Sequence, residues 1–305
     1  MKTQELILEM YKRGKAVPAF NIPHIPMMEP IIRASIELNC IALIEVARLE
    51  WEKFKSESPE KVAEEFYRIK KPEYIRLHLD HVPVIDEDNI EVEYVEILKR
   101  AINCGFQSIM LDGSRLELNE NIRHTAIAAE LAHKNGIACE AELGAVLGHE
   151  NKEMPSYEEI FKSGEGFTKI NEAQKFIEET ECDWLSVAVG NIHGAISKSK
   201  RDKKKVEAKI NIEHLSKLSN AVKTPLVLHG GSGINVNDIR KSIKNGIAKI
   251  NIGTELRQIF EKELENSKSV IKAQDILYKK TYSMIEDVLQ LNDTSKYIDI
   301  KEEKV

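Results

Sequence analysis

The sequence predicts an α/β fold, and within that class a (β/α)8 TIM barrel formed as a single domain over residues 1–305. Three observations carry the prediction. Short apolar runs recur eight times with amphipathic stretches between them, and such alternation builds a parallel sheet with right-handed crossovers. Eight strands in a chain of 305 residues suit a closed barrel. An open doubly wound sheet would call for G-x-G-x-x-G after the first strand, and none is there. Finally, polar and charged residues gather at the carboxyl ends of the runs, the end at which barrel enzymes build their sites.

Taken in order, "MKTQELILEMYKRGK" spaces Leu6, Ile7, Met10 and Tyr11 as one face of a helix and lacks the apolar core and cleavage site of a signal peptide. Strands are predicted at 16–20, 40–46, 74–79, 108–111, 137–143, 184–189, 226–229 and 249–252. Between them, 91–105 and 119–136 read as amphipathic helices, the second stopped by Asn135-Gly136. The charged stretch 50–73 reads as an inserted surface helix, and 148–167, rich in glycine and charge, as an inserted mobile loop. The basic run 197–209 is expected to be a solvated loop.

A formal net charge of −6 argues against nucleic acid or an anionic membrane as the main partner, since either would favour a basic face, although backbone N–H groups can still hold a local anion. No apolar run reaches the length of a membrane span. Cys40, Cys104, Cys139 and Cys182 are far apart and form no CxxC pair. That pattern speaks against a disulfide framework or a thiolate metal site and for a reducing, cytoplasmic setting.

The polar residues at the strand ends suggest chemistry. Asp80 and His81 close the third run, Asp112 and Ser114 follow the fourth, and Glu140 and Glu142 lie in the fifth. His193 follows the sixth, His229 ends the seventh and Asn251 lies in the eighth. A single buried histidine would read as a hydrogen-bonded core residue. His81, His193 and His229 on one rim, each beside Gly or Asp, make three imidazoles with an open position, the pattern of a catalytic zinc site. Asp80 should stand beside the metal, either orienting a ligand histidine or acting as general acid/base. Strand alternation places His78 and His81 on opposite faces, which leaves His78 out of the metal shell. His24, His124, His133, His149 and His214 fall in helices or loops and read as surface residues. In "LVLHGGSG" (226–233) the glycines let the backbone approach an anion and Ser232 adds a hydroxyl, at the strand where many barrels hold phosphate.

With these residues in view the chain resembles the class II, metal-dependent ketose-bisphosphate aldolases that act on fructose and tagatose bisphosphates. The landmarks are "VPAFN" (17–21), "HLDH" (78–81), "GFQSIMLDGS" (105–114), "EAELG" (140–144), "GNIHG" (190–194), "PLVLHGGSG" (225–233) and "AKINIGTELR" (248–257), in family order. The resemblance implies Zn2+ or another divalent ion on His81, His193 and His229, with Asp112 and Glu142 as nearby carboxylates or alternative ligands. It implies proton exchange by Asp80 at the hydroxyl of the cleaved bond and by Glu150 at the enediolate carbon. It assigns Asn21, Gly194, Lys198, Gly230, Ser232, Asn251, Gly253, Thr254 and Arg257 to the substrate and its phosphates. It further implies a monovalent cation (Na+ or K+) at the phosphate end, and a homodimer or homotetramer in which Arg257 can serve a neighbouring subunit.

The sugar-reading positions depart from the fructose-type pattern. Gly253 stands where those relatives usually carry Asp, Ser197-Lys198 where a lysine is usual one step earlier, and Ala47-Arg48 where a serine is common. Arg115 replaces a common histidine. The expected reaction is cleavage of fructose 1,6-bisphosphate to dihydroxyacetone phosphate and glyceraldehyde 3-phosphate, with tagatose 1,6-bisphosphate or another phosphorylated ketose as alternatives. A non-catalytic sugar-phosphate-binding subunit is disfavoured by retention of Asp80, Glu150 and the three histidines.

Overall fold

The structure, a computed structural model, describes residues 1–144, 157–191 and 208–298. Eight parallel strands close into a barrel in sequence order: β1 Val17–Asn21, β2 Ala42–Ala47, β3 Ile75–Pro83, β4 Ser108–Asp112, β5 Ala138–Leu143, β6 Trp184–Val187, β7 Leu226–Leu228 and β8 Ile247–Ile252. The ring shuts where β1 pairs with β8, Val17 opposite Lys249 and Ala19 opposite Asn251. All eight predicted runs are strands, the third running four residues beyond its predicted end at 79.

The helices of the outer layer are α1 Thr3–Lys12, α2 Met28–Glu37, α3 Arg48–Lys53, α4 Pro59–Arg68, α5 Tyr94–Asn103 and α6 Leu118–Lys134. They continue with α7 Tyr157–Ser163, α8 Ile170–Thr180, α9 Ile212–Val222, α10 Val236–Lys244, α11 Thr254–Ser267 and α12 Val270–Ser283. The 3.6-residue period of α1 turns Leu6, Ile7 and Met10 inward, fully buried. The single helix expected over 50–73 is instead two, α3 and α4, with Ser58 capping the second by accepting the Lys61 N–H. Of the loop expected at 148–167, residues 157–163 form α7 and the earlier part lies outside the described residues; the run 197–209 lies outside them up to residue 207. No described helix is long and apolar enough to cross a membrane.

The strand period of two has an unusual content here. Because side chains alternate faces, the apolar residues of β5 and β8 (Cys139, Ala141, Ile250, Ile252) alternate with Glu140, Glu142, Lys249 and Asn251. The charged set points into the barrel. Lys249 Nζ stands 2.9 Å from Glu140 Oε2 and 3.1 Å from Glu45 Oε2, and no two of β8, β5 and β2 are neighbours in the sheet. Only the interior lets them meet.

Two carboxyls thus share one ammonium in a place without water to screen them. Burial and the charge of Asp80 push Glu45 well above the usual carboxylate range. Burial would raise Glu140 too, but Lys249, His229 and His78 hold it well below that range. Lys249, which burial alone would lower, is raised by Glu140, Glu45 and Asp80. The closer pair is Lys249–Glu140, and the raised pKa of Glu45 favours its neutral form beside that pair. Removing one partner of a buried pair costs about 3–5 kcal/mol. Lys249→Met should lower the unfolding free energy by about that amount in urea titration, whereas Glu45→Gln, nearly isosteric with a neutral carboxyl, should change it little. Equal losses from both would mean that Glu45 carries the charge.

Candidate active site

The site is built at the carboxyl end of the barrel, where β3 breaks its own alternation. Leu79 pairs with Ile109 and Val82 with Leu111, so β3 spends three steps where β4 spends two. The extra residue is a bulge, and His81 takes a left-handed φ of +31° there. The bulge turns His81 to the same side as Asp80. His78 and His81 therefore do not lie on opposite faces, as strict alternation implies. Both are interior, His78 deeper, with its Nδ1 2.9 Å from Ser108 Oγ and its ring 5.9 Å from that of Trp184.

His81 Nε2 and His229 Nδ1 face each other at 2.7 Å. On the far side of each ring stands a carboxylate: Asp112 Oδ2 is 3.1 Å from His81 Nδ1, and Glu140 Oε1 is 2.8 Å from His229 Nε2. These partners set the tautomers. His229 donates from Nε2 to Glu140, which leaves a lone pair on Nδ1, and His81 donates from Nε2 to that lone pair. Burial alone would lower the His81 pKa, but Asp80, Asp112 and Glu142 raise it well above the ordinary histidine value. His229, lowered by burial and by the charge of His81, stays neutral.

Glu142 Oε2 lies 3.4 Å from His229 Nδ1 and 3.8 Å from His81 Nδ1. It is buried with no hydrogen-bond partner among the described residues, and burial together with Asp112 and Glu140 raises its pKa well above the usual range. Ligand atoms of Asp80, His81 and His229 lie within 4.8 Å of one another, as do those of His81, Asp112 and Glu142. Two converging imidazole nitrogens beside a buried carboxyl oxygen that makes no hydrogen bond among the described residues are a donor set that fits a divalent cation.

Asp80 is held from both sides: Asn21 Nδ2 donates to Oδ2 at 2.9 Å and Asn251 Nδ2 to Oδ1 at 3.0 Å. Asn251 Oδ1 in turn accepts from Lys249 Nζ at 2.7 Å. Burial would raise Asp80, but His81, Lys249 and His229 lower it below the usual carboxylate range. Asp112 is likewise lowered against burial, by His81 and by the Ser114 hydroxyl and N–H that its Oδ1 accepts at 2.6 and 3.0 Å.

The turn after β7 lies against the start of α11. A Cβ on Gly231 would stand 2.8 Å from Ile250 Cγ2 and 2.9 Å from the Asn251 carbonyl, so only glycine fits. The Glu255 N–H reaches Ser232 Oγ at 3.4 Å. This brings Gly230 and Ser232 beside Gly253 and Thr254 at a helix N-terminus, where free N–H groups and the dipole favour an anion. A Cβ on Gly253 would lie 3.0 Å from Asn21 Oδ1 and 3.1 Å from Asn21 Cβ, tighter than ordinary contact. Arg257, one turn into α11, pairs with Glu261 Oε2 at 2.6 Å and lies over the Phe54 ring.

The structure thus brings together Asn21, Asp80, His81, Asp112, Glu142, His229, Gly230, Ser232, Asn251, Gly253 and Thr254. Glu150, His193, Gly194 and Lys198 lie outside the described residues, as does His149. His24, expected at the surface, is buried between Phe54 and Phe260 with Nε2 2.8 Å from Glu261 Oε1. His124 and His214 are half-buried, and His133 is exposed as expected. Sequence reasoning gave no role to Glu45, Glu50, His78, Glu140 or Lys249. The signal for the interior ones was charge at alternate positions of runs such as "CEAEL" and "KIN" that had to be buried. Glu50, in α3, accepts the Ala47 N–H at 2.9 Å, and burial pushes its pKa up to about 8.

Comparison with known proteins agrees with this geometry. The sequence model of the family described as "Fructose-bisphosphate aldolase class-II" matches residues 1–297. A fructose-bisphosphate aldolase of Staphylococcus epidermidis is 30% identical over 263 residues, covering 83% of this chain and 80% of the relative. A probable fructose-bisphosphate aldolase of Bacillus subtilis is 32% identical over 255 residues, covering 82% and 80%. Among solved structures, the YdjI aldolase from Escherichia coli K12 superposes with a TM-score of 0.74 at 26% identity, covering 95% of this chain and 97% of that one.

A proton shared between His81 Nε2 and His229 Nδ1 would sit where a metal needs both lone pairs. The carboxylates around His81 raise its pKa, which favours that proton, and metal binding must then expel it. Calorimetric titration of the metal-free protein with Zn2+ at pH 7 should therefore give a heat that depends on the buffer's ionisation enthalpy. Affinity should fall as pH drops below the His81 pKa, about tenfold per unit. A heat independent of buffer would show that the imidazoles bind no proton to displace.

Proposed function

The chain belongs to the class II fructose-bisphosphate aldolase family, and we propose that it cleaves fructose 1,6-bisphosphate reversibly to dihydroxyacetone phosphate and glyceraldehyde 3-phosphate, with zinc as its divalent ion. The observation that carries the reading is the pair His81 Nε2 and His229 Nδ1, facing at 2.7 Å beside a carboxylate fixed through both oxygens. His81 and His229 would hold the ion, with His193 as the third imidazole the family resemblance supplies. Bound there, the cation contributes Lewis-acid polarisation of the ketose carbonyl.

The remaining work falls to the chain. Asp80, ionised and aimed by two amides, takes the proton of the hydroxyl on the carbon that becomes the aldehyde as the carbon–carbon bond breaks. The other cleaved carbon needs a proton, a task the resemblance gives to Glu150. Glu140 and Asp112 hold the two imidazoles in the tautomers that present nitrogen lone pairs inward once the His81 proton has left. The Gly230–Ser232 turn and the start of α11 receive the phosphate of the dihydroxyacetone half, with Gly194 and Lys198 completing that end and a monovalent cation, Na+ or K+, assisting. Arg257 serves the distal phosphate, in a homodimer or homotetramer where it belongs to a neighbouring subunit's site.

One observation favours a second substrate. Position 253 is glycine, and a Cβ there would already stand 3.0 Å from Asn21 Oδ1, so no carboxylate at the end of β8 reads the sugar hydroxyls, and tagatose 1,6-bisphosphate or another phosphorylated ketose becomes the alternative. Triose-phosphate release from the fructose and tagatose bisphosphates, with and without chelator, tests both. Fast, chelator-sensitive release is expected, and the ratio of rates decides the epimer. Release from neither, with zinc bound, would overturn the reading. Asp80→Ala should keep the metal while kcat drops by about 10²–10⁴-fold, and His229→Ala should lose the metal with the barrel still folded, both read by metal content and circular dichroism. Unchanged turnover in Asp80→Ala would move the proton transfer elsewhere.

A further inference from the structure

At the mouth of the barrel β2 passes directly into α3, and Glu50, the third residue of that helix, folds back so that its Oε2 accepts the Ala47 N–H at 2.9 Å. A glutamate in this place normally caps the helix and faces solvent. The same carboxyl lies close enough to Asn21, Asp80 and His81 for each to act on its pKa, and Asn21 Nδ2 donates to Asp80 Oδ2 at 2.9 Å. Glu50 thus neighbours the amide that holds Asp80, on the side of the site formed by β1, β2 and β3. Asn21 and Glu50 are both partly exposed, whereas Asp80 beneath them is buried. Beside Asn21, Gly253 carries no side chain, and a Cβ there would stand 3.0 Å from Asn21 Oδ1. Glu50 is therefore a partly exposed carboxyl close to the buried Asp80, with no side chain at position 253 to share that task.

We infer that Glu50 is a specificity residue whose carboxyl hydrogen-bonds a hydroxyl on the aldehyde half of the ketose, next to the hydroxyl served by Asp80. The inference rests on the aldolase reading above. It assigns the choice between ketose epimers to the start of α3. A site group built to bond a hydroxyl discriminates strongly against a substrate that misplaces it, so the effect belongs in the ratio of kcat/KM values between epimers.

The test uses the full-length, zinc-loaded enzyme and two variants. Glu50→Gln keeps an oxygen to accept the Ala47 N–H but alters what the group offers a sugar hydroxyl; Glu50→Ala removes both. Triose-phosphate release gives kcat/KM for fructose and tagatose 1,6-bisphosphates, and thermal melting reports the cap. Glu50→Gln is expected to change the ratio between the two sugars by about tenfold or more with Tm unchanged, and Glu50→Ala to change the ratio and lower Tm as well. An unchanged ratio in both variants, with Tm lowered only by Glu50→Ala, would leave Glu50 a helix cap and overturn the inference while the aldolase stands. Proportional loss on both sugars would also overturn it. Release from neither sugar by the unaltered enzyme would remove the aldolase reading on these substrates, and the role of Glu50 with it.

Discussion

The Lys249 ammonium, buried at the centre of the barrel, is the group on which the rest of the site depends. From it two chains of contact run outward. One passes through Glu140 to His229, on to His81 and to Asp112. The other passes through Asn251 to Asp80 and then to Asn21. The two imidazoles and the carboxylate proposed for proton transfer are thus oriented from a single charge. Such a buried network is stabilising only when its members are satisfied. Its cost is offset by apolar residues on the opposite face of the same strands, packed against the helical layer.

Holding groups from β3 and β7 within bonding distance also needs two departures from regular backbone. The bulge in β3 supplies one, since without it His81 would follow Asp80 to the other face. The turn after β7 supplies the other, because Gly231 has to approach β8 closely enough that a Cβ would strike the Asn251 carbonyl. Both departures fall at the carboxyl end of the barrel; a third irregularity, the register shift between β7 and β8 at Leu226 and Val227, lies at the amino end.

The barrel was legible because its strands are buried on both faces and so appear as runs, and because helices of 3.6-residue period separate them. His81, His229, Asp80 and Asp112 were legible because each ends a run. What stayed hidden depends on which way a side chain turns. Lys249 and Glu45 sit in runs that look apolar, and only the closed barrel shows that their alternate face is shared. His78 was placed on the wrong face because sequence does not announce a bulge. His24 sits in a loop, but Phe54 and Phe260 from α11 and the segment after α3 close over it, a contact between residues distant in sequence. Glu50 looks like an ordinary helix-start glutamate, and nothing local says that this helix begins at the mouth of the site.

The carboxyls around the two imidazoles give a divalent ion a physical reason. Among the described residues Asp112 and Glu142 stand against His81, and Glu140 and Glu142 against His229, with a ligand atom of Asp80 within 4.8 Å of one from each ring. A cation held between the rings would be attracted by all of them, a divalent ion about twice as strongly as a monovalent one at the same distance. His81 Nε2 and His229 Nδ1 face each other at 2.7 Å, so the lone pairs such an ion requires would converge on it from two sides, while the carboxylates behind each ring fix the direction in which those lone pairs point.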